Sequence, residues 1–148
     1  MEKKRFALVV LIGLCLFVFV VLYENQPVEP VSNVTYVKRV AISFDDGPHL
    51  ERTKVLLDGL KERGVRATFF LVGNRIAGNE DLILRMYEEG HMIGNHSYTH
   101  ADLTKLNKEA ALWEINETNT RIENITGKKV EYVRPPFGSW NKESTMMD

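Results

Sequence analysis

From Lys38 onward the chain switches repeatedly between two hydrophobic periods, and that switching limits the fold more than any other feature. The run "RVAISF" (39–44) is short, apolar and β-rich, and the turn-forming "DDGP" ends it. "RTKVLLDGLKERG" (52–64) then spaces Val55, Leu56, Leu57 and Leu60 at helical intervals and closes on Gly64. A strand follows over "RATFFLVG" (66–73), a second helix over "NEDLILRMYEEG" (79–90) and a short third strand over "HMIGN" (91–95). The spacing predicts a longer helix over 106–127, with Leu112, Ile115, Ile122 and Ile125 on its apolar face. "VEYVRPPFG" (130–138) gives a fourth strand that runs into a loop fixed by proline. Strands alternating with helices argue for a parallel sheet covered by helices, an α/β fold.

In such folds the functional loops gather at the C-terminal ends of the strands. Three segments rich in reactive side chains fall there: "DDGP" after the first strand, "NHSYTH" after the third and "RPPFG" after the fourth. Each has a bland reading beside the chemical one. Asp, Gly and Pro are favoured turn residues, so "DDGP" fits a solvated turn. Yet Asp45 and Asp46 are adjacent at a strand end, where neighbouring side chains point to opposite sides and can take different jobs. His96 and His100, four residues apart in "HSYTH", fit either two surface histidines or two ligands of one ion. An Asp from the first strand end would complete a His, His, Asp set with a fourth position open for water, as catalytic zinc requires. The other carboxylate of the pair could take that water's proton. In "RPPFG", Arg134 suits a bidentate grip on a carboxylate, and Pro135 and Pro136 stiffen a loop whose backbone at Phe137 could face an oxyanion. The alternative is a rigid connector with a structural arginine. His91 lies outside the metal spacing and is expected to be strand-edge structure.

The first 37 residues have a different character. Phe6 to Tyr23 contains no charge, and as a helix its 18 residues would reach about 27 Å, close to the ~30 Å of a bilayer core. Lys3, Lys4 and Arg5 precede it, and "YENQPVEP" after it offers no small-x-small cleavage site. The expectation is an uncleaved signal anchor rather than a cleaved signal or a buried helix. Residues 1–23 would then be a cytoplasmic basic stub and one transmembrane helix, 24–37 a tether, and 38–148 a domain on the cell-envelope side of the membrane. Cys15, the single cysteine, lies inside the apolar run, which leaves no disulfide framework and no thiol for catalysis in the remainder. Leu14 stands before it where lipidation would need a small residue. A net charge of −1 gives no basic stripe for nucleic acid. Of the four sequons, at Asn33, Asn95, Asn116 and Asn124, the second adjoins a candidate metal ligand, where a glycan would obstruct the site.

Taken in order and spacing, "SFDDGP", "HSYTH" and "RPPFG" resemble the polysaccharide deacetylases of the NodB-homology type, carbohydrate esterase family four. The resemblance runs from about Arg39 to Trp140. It implies a distorted (β/α) barrel and a metal-dependent hydrolase that removes acetyl groups from peptidoglycan or chitin-like glycans. By position it makes Asp45 the general base, oriented by Arg134, and Asp46, His96 and His100 the ligands of Zn2+ or another divalent metal such as Co2+. Pro136 and Phe137 would border the acetyl pocket, with the Phe137 N–H in the oxyanion hole.

The family pattern continues with an Asp/Trp segment and a Leu-x-His segment whose His is the general acid. The residues up to Asp148 contain neither, and His49 and His91 stand elsewhere in the order. The resemblance therefore implies a barrel incomplete at the C-terminus, with an unpaired sheet edge and no identified donor for the leaving amine. The leading expectation is a membrane-anchored deacetylase of N-acetylglucosamine-containing cell-wall glycan. The alternative from another class is a catalytically inactive, truncated surface module that binds glycan or metal. A chain too truncated to fold stably is the third.

Overall fold

The computed structural model describes residues 39–140. The expected signal anchor at Phe6–Tyr23 and the tether at 24–37 lie outside the described residues. Among those described, no helix is long and apolar enough to cross a membrane.

Three strands and three helices alternate as the sequence pattern predicts. They are β1 (Ser43–Gly47), α1 (Leu50–Glu62), β2 (Thr68–Leu71), α2 (Glu80–Glu88), β3 (Met92–Asn95) and α3 (Lys108–Thr126). The strands form one parallel sheet in the order β1-β2-β3, with Phe44 opposite Phe69 and Phe69 opposite Ile93. On the central strand, Phe69 and Leu71 face the helices, where they meet Leu57 and Leu60 of α1, Ile83 and Met86 of α2 and Ile122 of α3. Leu57 and Leu71 are fully buried, and each contributes about 1.5–3 kcal/mol of apolar transfer. α3 starts where Asn107 Oδ1 accepts the Ala110 N–H at 2.8 Å, and ends at Gly127, whose φ of 66° suits glycine.

Four expectations need correction. The first strand is Ser43–Gly47 rather than 39–44, so Asp45 and Asp46 lie inside it instead of in a turn after it. A register irregularity between Phe44 and Gly47 lets the pair sit in the ladder. The fourth strand reduces to a single parallel bridge between Asn95 and Val133, flanked by Asn95 N–H to Tyr132 O and Arg134 N–H to Asn95 O, both 2.8 Å. The buried face of α3 is Ala111, Glu114, Thr118 and Ile122; of the predicted Leu112, Ile115, Ile122 and Ile125, the last two do pack on the core, while Leu112 and Ile115 stand half-buried beside it. On α1, Val55 faces solvent at 71% exposure, and Thr53 occupies the buried face with Leu57 and Leu60.

Candidate metal centre

At the C-terminal end of the sheet, the bulged end of β1 sends two adjacent carboxylates to different partners. Asp46 sits at φ 66°, in the left-handed region. Asp46 Oδ1 lies 3.1 Å from His100 Nε2 and 3.6 Å from His96 Nε2. Asp45 Oδ1 accepts a 2.7 Å hydrogen bond from Arg134 Nη1. The same Nη1 donates to Ser43 Oγ at 2.9 Å, and the guanidinium lies 4.0 Å above the Phe70 ring. The grip on Asp45 is therefore through one nitrogen, not the bidentate fork expected from the sequence. The guanidinium's remaining face is spent on the aromatic ring.

His96 is nearly buried, and its Nδ1 lies 2.6 Å from the carbonyl oxygen of Arg134. A carbonyl can only accept, so Nδ1 carries the hydrogen and donates it. In the neutral ring Nε2 is then a bare acceptor, and it faces the acceptor oxygen of Asp46. Two acceptors aimed at one another repel unless a proton or a cation stands between them. Donors that share an ion at 2.0–2.1 Å in tetrahedral geometry stand about 3.3 Å apart. The two distances from Asp46 bracket that value, and one donor atom from each of Asp46, His96 and His100 lies within 4.8 Å of the others. The chemistry of the three donors fits a zinc-like divalent ion.

The loop that carries the histidines is held from several sides. Ser97 and His100 both have φ 62°, which residues other than glycine rarely adopt. The Gly73 N–H donates to Ser97 O and the Asn74 N–H to Tyr98 O, each at 2.9 Å. That approach requires glycine, since a Cβ at Gly73 would stand 2.3 Å from Thr118 Oγ1 and 2.5 Å from the Tyr98 ring. Asn95, fully buried, donates to Ile115 O and Asn119 Oδ1 and accepts the Ser97 N–H. A glycan on that sequon has no room.

The remaining candidates lie on the same rim. Pro136 is buried, and Phe137, at φ 62° and 71% exposed, sets its ring edge-on to His100 with centroids 4.8 Å apart. The backbone carbonyl of Asp46 also accepts from the Arg75 guanidinium. Sequence reasoning did not single out Arg75, Asn95 as a hydrogen-bonding hub, or Glu114. Glu114 gave one signal, its place among Ala111, Thr118 and Ile122 at helical spacing. His91 is buried at the other end of β3, outside the cluster, as its spacing had indicated.

Comparison with known proteins agrees in one direction. The Polysaccharide deacetylase family matches residues 32–147. The peptidoglycan-N-acetylmuramic acid deacetylase PdaC of Bacillus subtilis is 40% identical over 120 residues, which cover 81% of this chain and 25% of that protein. A peptidoglycan-N-acetylglucosamine deacetylase of Bacillus cereus is 41% identical over 99 residues, 67% of this chain and 36% of its own. The solved structure of PdaC superposes with a TM-score of 0.72 at 42% identity, covering 74% of this chain and 55% of that one. The chain thus spans a quarter to a third of these curated relatives and about half of the solved domain.

Proposed function

The chain belongs to the polysaccharide deacetylase family, and on that premise we propose that it carries the metal-holding and water-activating part of a deacetylase acting on N-acetylglucosamine-containing cell-wall glycan. The observation that carries the reading is the division of labour at the end of β1. Asp46 joins His96 and His100, while Asp45 is held apart by Arg134. The barrel we infer is the distorted (β/α) type, supported by the parallel strand order and by the likeness to the solved deacetylase structure.

Asp46, His96 and His100 would hold the ion, Zn2+ or a relative such as Co2+, which when bound supplies a Lewis acid that polarises the acetyl carbonyl and acidifies water. The protein's own groups do the rest. Asp45 takes the proton from the attacking water at a carboxylate oxygen, and the hydrogen bond from Arg134 keeps that carboxylate aimed. The Arg134 carbonyl, through His96 Nδ1, fixes the tautomer that leaves Nε2 free as a ligand. The exposed ring of Phe137 and the buried Pro136 shape the rim where the acetyl group would lie, and the Phe137 N–H would donate to the developing oxyanion. The uncharged run Phe6–Tyr23, with its preceding cations, supports a single membrane anchor and an envelope-side glycan substrate.

The test is acetate release from N-acetylated peptidoglycan fragments and chito-oligosaccharide by the full chain, with zinc and with chelator. We expect metal-dependent release. Asp45→Asn should lower it 10²- to 10⁴-fold at unchanged zinc content. Turnover retained in that variant would remove the base assignment, and no acetate from either substrate would overturn the proposed activity.

A further inference from the structure

Glu114 is 5% exposed on α3, and burying a carboxylate is unfavourable unless its oxygens are well hydrogen-bonded. Its oxygens accept three short bonds, all from the loop between the two histidines. Oε2 takes the Tyr98 and Thr99 N–H groups, each at 2.7 Å, and Oε1 takes the Thr99 hydroxyl at 2.6 Å. One carboxylate thus spans the middle of "HSYTH". The residues on either side of that middle, Ser97 and His100, are the two held at φ 62°. Strained backbone of this kind persists only where its surroundings over-determine it. Here Asn95 holds the Ser97 N–H, Gly73 and Asn74 hold the carbonyls of Ser97 and Tyr98, and Glu114 holds the next two amides.

We propose that Glu114 is a positioning residue for the cation site: its carboxylate fixes the loop that sets the spacing and orientation of His96 and His100. The proposal rests on the reading of Asp46, His96 and His100 as metal ligands. Glu114 makes no hydrogen bond to Asp46, His96 or His100; it acts through two backbone amides and the Thr99 hydroxyl. Groups that orient metal ligands in this indirect way typically change affinity 10- to 100-fold when removed.

The experiment titrates the full chain, purified in mild detergent, with Co2+ alone, following the visible absorption of the bound ion and its Kd against a competing chelator. Glu114→Ala should weaken binding 10- to 100-fold and alter the band shape. Glu114→Gln, which can present one oxygen to both amides and its NH2 to the Thr99 oxygen, should stay within about threefold of wild type. Ile122→Val, a buried change elsewhere on α3, should lower the melting temperature and leave the Kd alone. Thr99→Val removes a single bond and should weaken binding about two- to fivefold, so the proposal can still fail if Glu114→Ala does not fold. Wild type that binds no Co2+ would overturn the metal centre and this inference together. Wild-type binding lost in His96→Ala but unchanged in Glu114→Ala, or in Thr99→Val, would overturn this inference alone.

Discussion

The two ends of β3 each bury a histidine, and the pair differs in one hydrogen bond. At the C-terminal end His96 donates Nδ1–H to the carbonyl of Arg134, which leaves Nε2 a lone pair facing the Asp46 carboxylate. At the N-terminal end His91 accepts the Ala67 N–H at its Nδ1, at 3.1 Å, so in the neutral ring the hydrogen sits on Nε2. That nitrogen is 3.9 Å from Glu89 Oε2, and neither atom has a hydrogen-bond partner among the described residues. Residue type and burial are the same; the backbone group opposite Nδ1 is reversed. A carbonyl there would prepare the proposed ligand, and an amide there makes a structural acceptor that cannot bind an ion without breaking a bond near the start of β2. The backbone partner, rather than the imidazole, assigns the role.

The strongest way to break that comparison is to delete each ring. His96→Ala should abolish zinc binding to below detection, because it removes a proposed ligand whose tautomer is already set. His91→Phe should leave metal stoichiometry and affinity as in wild type. Zinc content by elemental analysis, on folded protein, decides it. Metal lost in both variants would mean that the two ends are not independent.

Next in size is the split between Arg134's side chain and its main chain. Arg134→Lys keeps the carbonyl that orients His96 but gives up the planar guanidinium, with its one bond to Asp45, one to Ser43 and the stack on Phe70. We expect kcat to fall ten- to a hundredfold as Asp45 loses its aim, with metal affinity within about twofold of wild type. Equal losses in both quantities would show that the side chain also holds the metal loop.

How much of this was legible in the sequence depends on which force set each feature. The α/β alternation and the glycine helix ends follow from periodicity and backbone freedom, and both are visible along the chain. The start of β1 was not. Val40 belongs to a β-rich run, yet it is 86% exposed and outside the ladder, because pairing is fixed by register with Thr68–Leu71 and not by propensity. The turn preference of "DDGP" misled in the same way. The ladder absorbs Asp45 and Asp46 through an irregularity that no local pattern announces. On α3 the apolar count pointed to Leu112 and Ile115, since a glutamate is normally scored as facing water. Glu114 faces inward because the loop supplies three donors to it, and those donors come from residues fifteen and sixteen positions away in the chain. The three motifs at the site could be read; the groups that hold them in place could not.

A smaller effect sharpens the contrast from the His91 side. His91→Phe keeps a ring against Phe69, which His91 meets edge-on at 5.3 Å between centroids, but it leaves the Ala67 N–H with no acceptor. An unsatisfied buried amide costs about 1–3 kcal/mol, and we expect that loss of unfolding free energy at pH 7.5 by urea titration. Unchanged stability would mean that water or the backbone replaces the ring nitrogen, and the amide would then not be what gives His91 its role.

The smallest effect is the pH dependence of that same difference. Burial pushes the His91 imidazole below its ordinary value of 6.5; the nearby Glu89 charge works against this, and Arg66 and Arg85 add to it. A histidine depressed in the native state binds fewer protons there than in the unfolded chain, so unfolding takes up a proton as the solution becomes acid. The contribution is fully present above about pH 6.5 and is lost as pH falls from there through the depressed native pKa. Glu89 is held below its usual range, where hydrogen bonds from Arg85 and Lys61 outweigh its burial, so its own titration belongs to more acid solution. Wild type should therefore lose stability between pH 7 and pH 5 more steeply than His91→Phe, and the gap between the two should narrow as the pH falls. Parallel curves over that range would show that His91 binds protons equally in the native and unfolded chains, so that neither its burial nor the Ala67 amide holds it neutral, and the asymmetry between the two ends of β3 would then be one of position rather than chemistry.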